Sequence, residues 1–129
     1  MGSARAESGS PAMRLEGVRV FVDDLAAARR FYHEILALPI NWQDRTAIGF
    51  DLGADLIVEL VGKDADAEDR ALVGRFVGCT IAVDDIAATY AALSAKQVKF
   101  TGPPERQPWG GVFAHFEDPS RNVLTLLGG

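Results

Sequence analysis

Val22-Asp23-Asp24-Leu25-Ala26-Ala27 returns as Val83-Asp84-Asp85-Ile86-Ala87-Ala88, 61 positions later. Each copy follows an apolar stretch with strand alternation, Val18, Val20 and Val22 in the first and Cys79, Ile81 and Val83 in the second. Each also opens a segment with helical apolar spacing, so the repeated unit begins strand then helix. A unit of this size is too short to bury a good core alone, which implies two halves closing around one shared interior.

Working outward, residues 15–22 alternate as a strand, and Asp23 or Asp24 can cap a helix over about 25–36. Its apolar stripe is Leu25, Ala28, Phe31, Tyr32, Ile35 and Leu36, which places His33 on the solvated side. Pro39 closes the helical region, and short strands are expected near 40–43, 47–52 and 56–61, with Gly53-Ala54-Asp55 as a turn. The second half repeats the order: a strand over 77–83, a helix over 86–95, and strands near 98–100, 112–117 and 123–127. The loop Gly102–Gly111 is too rich in proline and glycine for regular structure, and Asp118-Pro119-Ser120-Arg121-Asn122 reads as a turn. Tyr32 and Tyr90 are expected in the core.

The predicted class is α+β: two tandem βαβββ modules forming a curved mixed sheet around a central cavity. The expected organisation is a disordered or vector-derived tail at 1–12, then a single domain over 13–129. Within it, module one spans about 14–62, a linker 63–75 and module two 76–129.

Composition narrows the function classes. With 48% hydrophobic and 24% charged residues among 129, the chain has a globular balance, and no stretch approaches the roughly 20 apolar residues of a membrane span. A net charge of −5 leaves no basic footprint for nucleic acid. The single cysteine, Cys79, excludes an internal disulfide and reads as a small buried hydrophobe; with no signal peptide in view, a cytoplasmic location is expected. No nucleophile triad or phosphate-cradling loop is present.

Val-Asp-Asp-Leu before a helix carrying Phe31-Tyr32 and Leu36-Ala37-Leu38, the second Val-Asp-Asp-Ile, and Phe116-Glu117-Asp118-Pro119-Ser120-Arg121-Asn122-Val123-Leu124 together resemble the vicinal oxygen chelate superfamily. That group includes glyoxalase I, bleomycin-resistance proteins and extradiol dioxygenases, and the resemblance runs from Leu15 to Leu127. It is specific for fold and weak for activity, because its motifs are structural. The resemblance implies metal-ligand positions on the first and last strands of each module. They fall on Gly17, Glu59, Gly78 and Thr125, so only Glu59 remains a good ligand where a catalytic divalent ion wants about three. No metal cofactor is therefore expected, the exception being an unusual site built on Glu59 and His115.

Alternation from these positions puts Arg19 and Phe21 on the inner face of module one, and Thr80, Ala82, Val123 and Leu127 on that of module two. Glu59, set among apolar neighbours, needs a partner, and Arg19 is the natural one, as a buried ion pair. Similarity to phosphonate-binding members turns Phe113 and His115 inward. The expected ligand-binding set is Arg19, Phe21, Trp42, Glu59, Thr80, Trp109, Phe113, His115 and Thr125.

Two functions fit these residues. One is a metal-independent small-molecule binding protein of the bleomycin-resistance type. The other is a lyase, isomerase or dioxygenase using His115 and Glu59 as catalytic acid and base. A homodimer is expected under either.

Overall fold

The computed structural model describes residues Ala12–Gly129, so all of the expected tail except Ala12 lies outside the described residues. Module one runs β1 (Gly17–Val22), α1 (Leu25–Arg29), β2 (Ile40–Gln43), β3 (Ala47–Leu52) and β4 (Ala54–Leu60). A short helix α2 (Ala67–Arg70) interrupts the linker. Module two runs β5 (Phe76–Ala82), α3 (Ile86–Ala95), β6 (Lys99–Phe100), β7 (Glu105–Arg106), β8 (Val112–Glu117) and β9 (Val123–Gly128).

The repeated Asp-Asp has a division of labour. The second aspartate of each pair caps a helix: Asp24 accepts from Ala27 N and Asp85 from Ala88 N, both at 3.0 Å. The extended backbone of both caps leads from strand to helix, two residues after β1 and three after β5.

The helix expected over 25–36 is α-helical only to Arg29 and continues as a π-helical segment, Arg30–Ile35. Leu36 N donates to Phe31 O at 2.9 Å, a five-residue step. Within this wider turn the consecutive Phe31 and Tyr32 are both interior, at 6% and 0% exposure. His33 departs from its expected solvated role: it is half-buried, and its Nδ1 lies 2.9 Å from Leu38 O, closing the chain reversal after the helix.

The strands form two sheets. Module one has the order β1-β4-β3-β2, with β1 and β4 parallel; module two has β5-β9-β8-β6, with β7 pairing β8. The strand β7 corrects the expectation of an irregular 102–111 loop. Glu105 and Arg106 pair with Phe113 and Val112, because a two-residue bridge fits between the prolines on either side.

One core serves both modules. Val20, Val22, Tyr32, Phe50 and Val58 from module one join Leu93, Phe116, Leu124 and Leu126 from module two in a continuous buried cluster. An aromatic file crosses the junction: Phe50 to Tyr32 at 5.8 Å, Tyr32 to Phe31 at 5.0 Å, Phe31 to Phe116 at 6.1 Å, and Phe116 to Phe100 at 6.1 Å. Tyr90 packs edge-on against Phe100 at 4.7 Å. Cys79 is half-buried against this core, and burial pushes its thiol above the usual value.

The β8–β9 turn locks the modules together. Asn122 Nδ2 donates to Phe21 O at 2.7 Å, Asn122 Oδ1 accepts from Gly74 N at 2.9 Å, and Tyr32 OH donates to Asp118 Oδ2 at 2.8 Å. Ser120 Oγ accepts from Asp23 N at 3.0 Å and donates to Asp23 Oδ1 at 2.8 Å. Burial, reinforced by the Asp118 charge and hydrogen bond, raises the Tyr32 phenol well above its usual value.

Candidate functional site

In β1 the even-numbered Val20 and Val22 enter the core, which turns Gly17, Arg19 and Phe21 to the opposite, open face. The parallel ladder sets Gly17 against Asp55, Arg19 against Ile57 and Phe21 against Glu59. Arg19 therefore reaches one step along β4 to Glu59, as expected, with Nε to Oε1 at 3.0 Å and Nη2 to Oε2 at 3.1 Å. The same guanidinium lies 5.1 Å from the Phe21 ring centroid.

The pair is not buried, correcting the sequence expectation: the Arg19 and Glu59 side chains are 59% and 33% exposed. The reason is topological, since β1 is an edge strand and this face carries no second layer within the chain. Hydrogen bonding to Glu59, and then its charge, raises Arg19 above its already high ordinary value, so it stays cationic.

Two strands away on the same face, the Trp42 indole lies over Gly49, its ladder partner, in space that a Cβ would fill. Asp55 fixes it there, accepting from Trp42 Nε1 at 2.9 Å and from Asn41 Nδ2 at 3.1 Å. Asp55 was missed from sequence. Its signal was present, because strand alternation places it on the same face as Glu59.

Module two repeats the plan with different chemistry. Thr80, Thr125 and His115 form a row across β5, β9 and β8. His115 Nδ1 and Thr125 Oγ1 are 2.8 Å apart, a cross-strand hydrogen bond. The His115 ring packs against Phe113 at 5.7 Å and Phe76 at 5.9 Å. Trp109 leans edge-on over Phe113 at 5.6 Å and covers Gly111. Phe76, also missed from sequence, shares the β5 alternation with Thr80.

The predicted residues thus fall into two groups. Arg19, Phe21, Trp42 and Glu59 share the module-one face, while Thr80, Trp109, Phe113, His115 and Thr125 share that of module two. Within one chain, Glu59 and His115 belong to different sheets: Glu59 is held by Arg19 and His115 by Thr125. Two clefts lie along the seam between β1 and β5 and take in residues of both faces. One of about 460 Å³ is lined by Leu15, Val18, Leu52, Asp55, Cys79 and Thr80 among others, and one of about 140 Å³ involves Arg19, Phe21, Arg75 and Asn122.

A family model described as the Glyoxalase/Bleomycin resistance protein/Dioxygenase superfamily matches residues 14–126. The chain belongs to that superfamily. A Bacillus subtilis (strain 168) relative, the uncharacterized protein YraH, is 29% identical over 125 residues, covering 88% of this chain and 97% of the relative. Among solved structures, a superfamily member from Sphaerobacter thermophilus superposes with a TM-score of 0.73 at 27% identity, covering 91% of this chain and 98% of the other. TnmS3, an antibiotic binding protein from Streptomyces sp. CB03234, superposes with a TM-score of 0.70 at 26% identity, covering 92% and 98%.

A superfamily that uses metal ions raises the question of fit. Gly17 and Gly78 offer no donor atom, Thr125 is engaged by His115, and both Glu59 oxygens are engaged by Arg19. Among the described residues, no three His, Cys, Asp or Glu side chains are grouped to hold a metal ion. The four superfamily ligand positions do not make a metal site as they stand.

Proposed function

We propose that this chain is a metal-independent binding protein for small aromatic molecules, of the bleomycin-resistance type. The observation that carries the reading is the pair of open faces, each presenting a tryptophan seated on a glycine. Trp42 is 36% exposed and Trp109 64% exposed, with Phe76 at 61% beside His115. Exposed aromatic patches of this kind mark ligand or partner surfaces. Aromatic rings stack on such platforms at little entropic cost, because the indoles are already held.

The likeness to an antibiotic binding protein supports the same reading. Neither face encloses a ligand by itself, so we propose a homodimer in which the module-one face of one copy closes over the module-two face of the other. In that cavity Arg19, with Nε and Nη2 committed to Glu59, keeps Nη1 as donor for a ligand oxygen.

Titration of tryptophan fluorescence with two planar probes, cationic proflavine and anionic naphthalene sulfonate, tests this. Saturable quenching is expected, with affinity weakened about 10- to 100-fold in Trp109→Ala. Sedimentation should report a dimer. Unsaturable quenching by both probes, or identical titrations for wild type and the variant, would overturn the binding reading.

A further inference from the structure

The ligand positions that the superfamily places at 17 and 78 are both glycine here, and the backbone disfavours a side chain at each for a different reason. In module one the obstacle is space. A Cβ on Gly17 would lie 2.6 Å from the Asp55 carbonyl oxygen and 3.0 Å from Ile57 Cδ1. Relief would require β4 to retreat from β1, but β4 is paired on both sides, to β1 and to β3. Asp55 also holds Trp42, so any retreat disturbs the aromatic platform.

In module two, space is ample: the nearest atom to a Cβ on Gly78 is a Phe76 ring carbon at 3.7 Å. There the obstacle is conformation. Gly78 has φ +74°, at a bulge where the β5–β9 ladder loses register between Phe76 and Thr80. L side chains rarely adopt this region, and a β5 rebuilt to remove it would shift the Thr80–Thr125–His115 row.

We propose that the absence of a metal site is built into this backbone and not only into its side chains. The positive charge beside Glu59 is supplied by the Arg19 guanidinium. Restoring donor side chains at the four positions does not restore metal binding. This deepens the metal-independent part of the proposed function and leaves the aromatic-ligand part untouched.

The test compares wild type with Gly17→His/Gly78→His/Thr125→Glu, which together with Glu59 carries all four donors, and with the same variant plus Arg19→Gln. Each is equilibrated with nickel or zinc, freed of excess metal, and measured by elemental analysis and thermal unfolding. All three should retain substoichiometric metal and show no raised midpoint. The single variants Gly17→Ala and Gly78→Ala report the backbone cost without any imidazole. Both should melt roughly 4–8 °C below wild type, with Gly78→Asn less affected than Gly78→Ala because asparagine tolerates positive φ.

Stoichiometric metal with a raised midpoint in either restored variant alone would overturn the inference and leave the proposed function standing. The same result in wild type would overturn both. If the restored variants do not fold, the single variants decide, and wild-type midpoints for Gly17→Ala and Gly78→Ala would overturn the inference.

Discussion

The connections between the last two strands of each module hold corresponding places in the duplicated order, yet they meet the seam differently. In module two the Asp118–Asn122 turn is driven into module one, where Asp118, Ser120 and Asn122 are 4%, 1% and 1% exposed. In module one the β3–β4 hairpin brings Leu52, Gly53 and Ala54, which carry no side-chain donor or acceptor, and Leu52 remains 40% exposed beside the larger cleft. The duplication preserved shape while concentrating the polar bonds between modules at one end of the seam. A buried polar group with every partner in place specifies one arrangement, because any other strands it at a cost of several hydrogen bonds.

The sharpest way to break this asymmetry is Asn122→Ala. It strands Phe21 O and Gly74 N and removes a donor from Asp118, so a loss of about 3 kcal/mol is expected from urea denaturation. At the other connection, Leu52→Ala should cost less than about 1 kcal/mol, since the side chain is already part-exposed. Equal losses at the two ends would dissolve the comparison.

Tyr32→Phe sits between these. Asp118 keeps its bonds from Ser120 N, Asn122 N and Asn122 Nδ2, so the expected cost at neutral pH is about 1–2 kcal/mol. The pH dependence sharpens the assignment. Because the folded phenol is raised above the unfolded value near 10, wild type should hold its stability below about pH 10 and lose it above, as the unfolded chain gives up the proton first. Tyr32→Phe should flatten that alkaline decline. Burial of Cys79 works in the same direction from a somewhat lower pH, so a remnant should persist.

The smallest effect is expected on the open faces. A double-mutant cycle on Arg19→Gln and Glu59→Gln should return a coupling below about 1 kcal/mol, decreasing with salt, because both groups meet solvent. A larger, salt-insensitive coupling would show that the face is covered in solution, as a closed dimer would make it.

Much of this arrangement was legible before the fold. The Asp-Asp repeat marked both modules, and its second aspartate caps a helix in each. Alternation about Gly17 and Glu59 paired Arg19 with the right carboxylate. The π-helical turn at Arg30–Ile35 was not legible, because the α-helical stripe and the π-helical one both bury Phe31 and Tyr32. Nor was the two-residue strand β7, whose pairing depends on β8, six residues away at the nearest. The separation of Glu59 from His115 was hidden for a similar reason: alternation tells which face a side chain takes, not which sheet that face will meet.

The amino-acid sequence by itself determined the duplicated βαβββ order, the helix starts, the face of each strand and the absence of donors at positions 17 and 78. These follow from interactions spanning a few residues, caps, turns and period-two alternation, which act in any context. Only the tertiary structure decided that the strands form two sheets, that the Asp118–Asn122 turn bears the junction, and that Arg19 and Glu59 stand in the open. It also decided that Gly17 and Gly78 are held by spacing and by φ. Those outcomes depend on which segments distant in the chain pack together, and that is settled by burying the shared aromatic core and satisfying its polar groups, not by any local pattern.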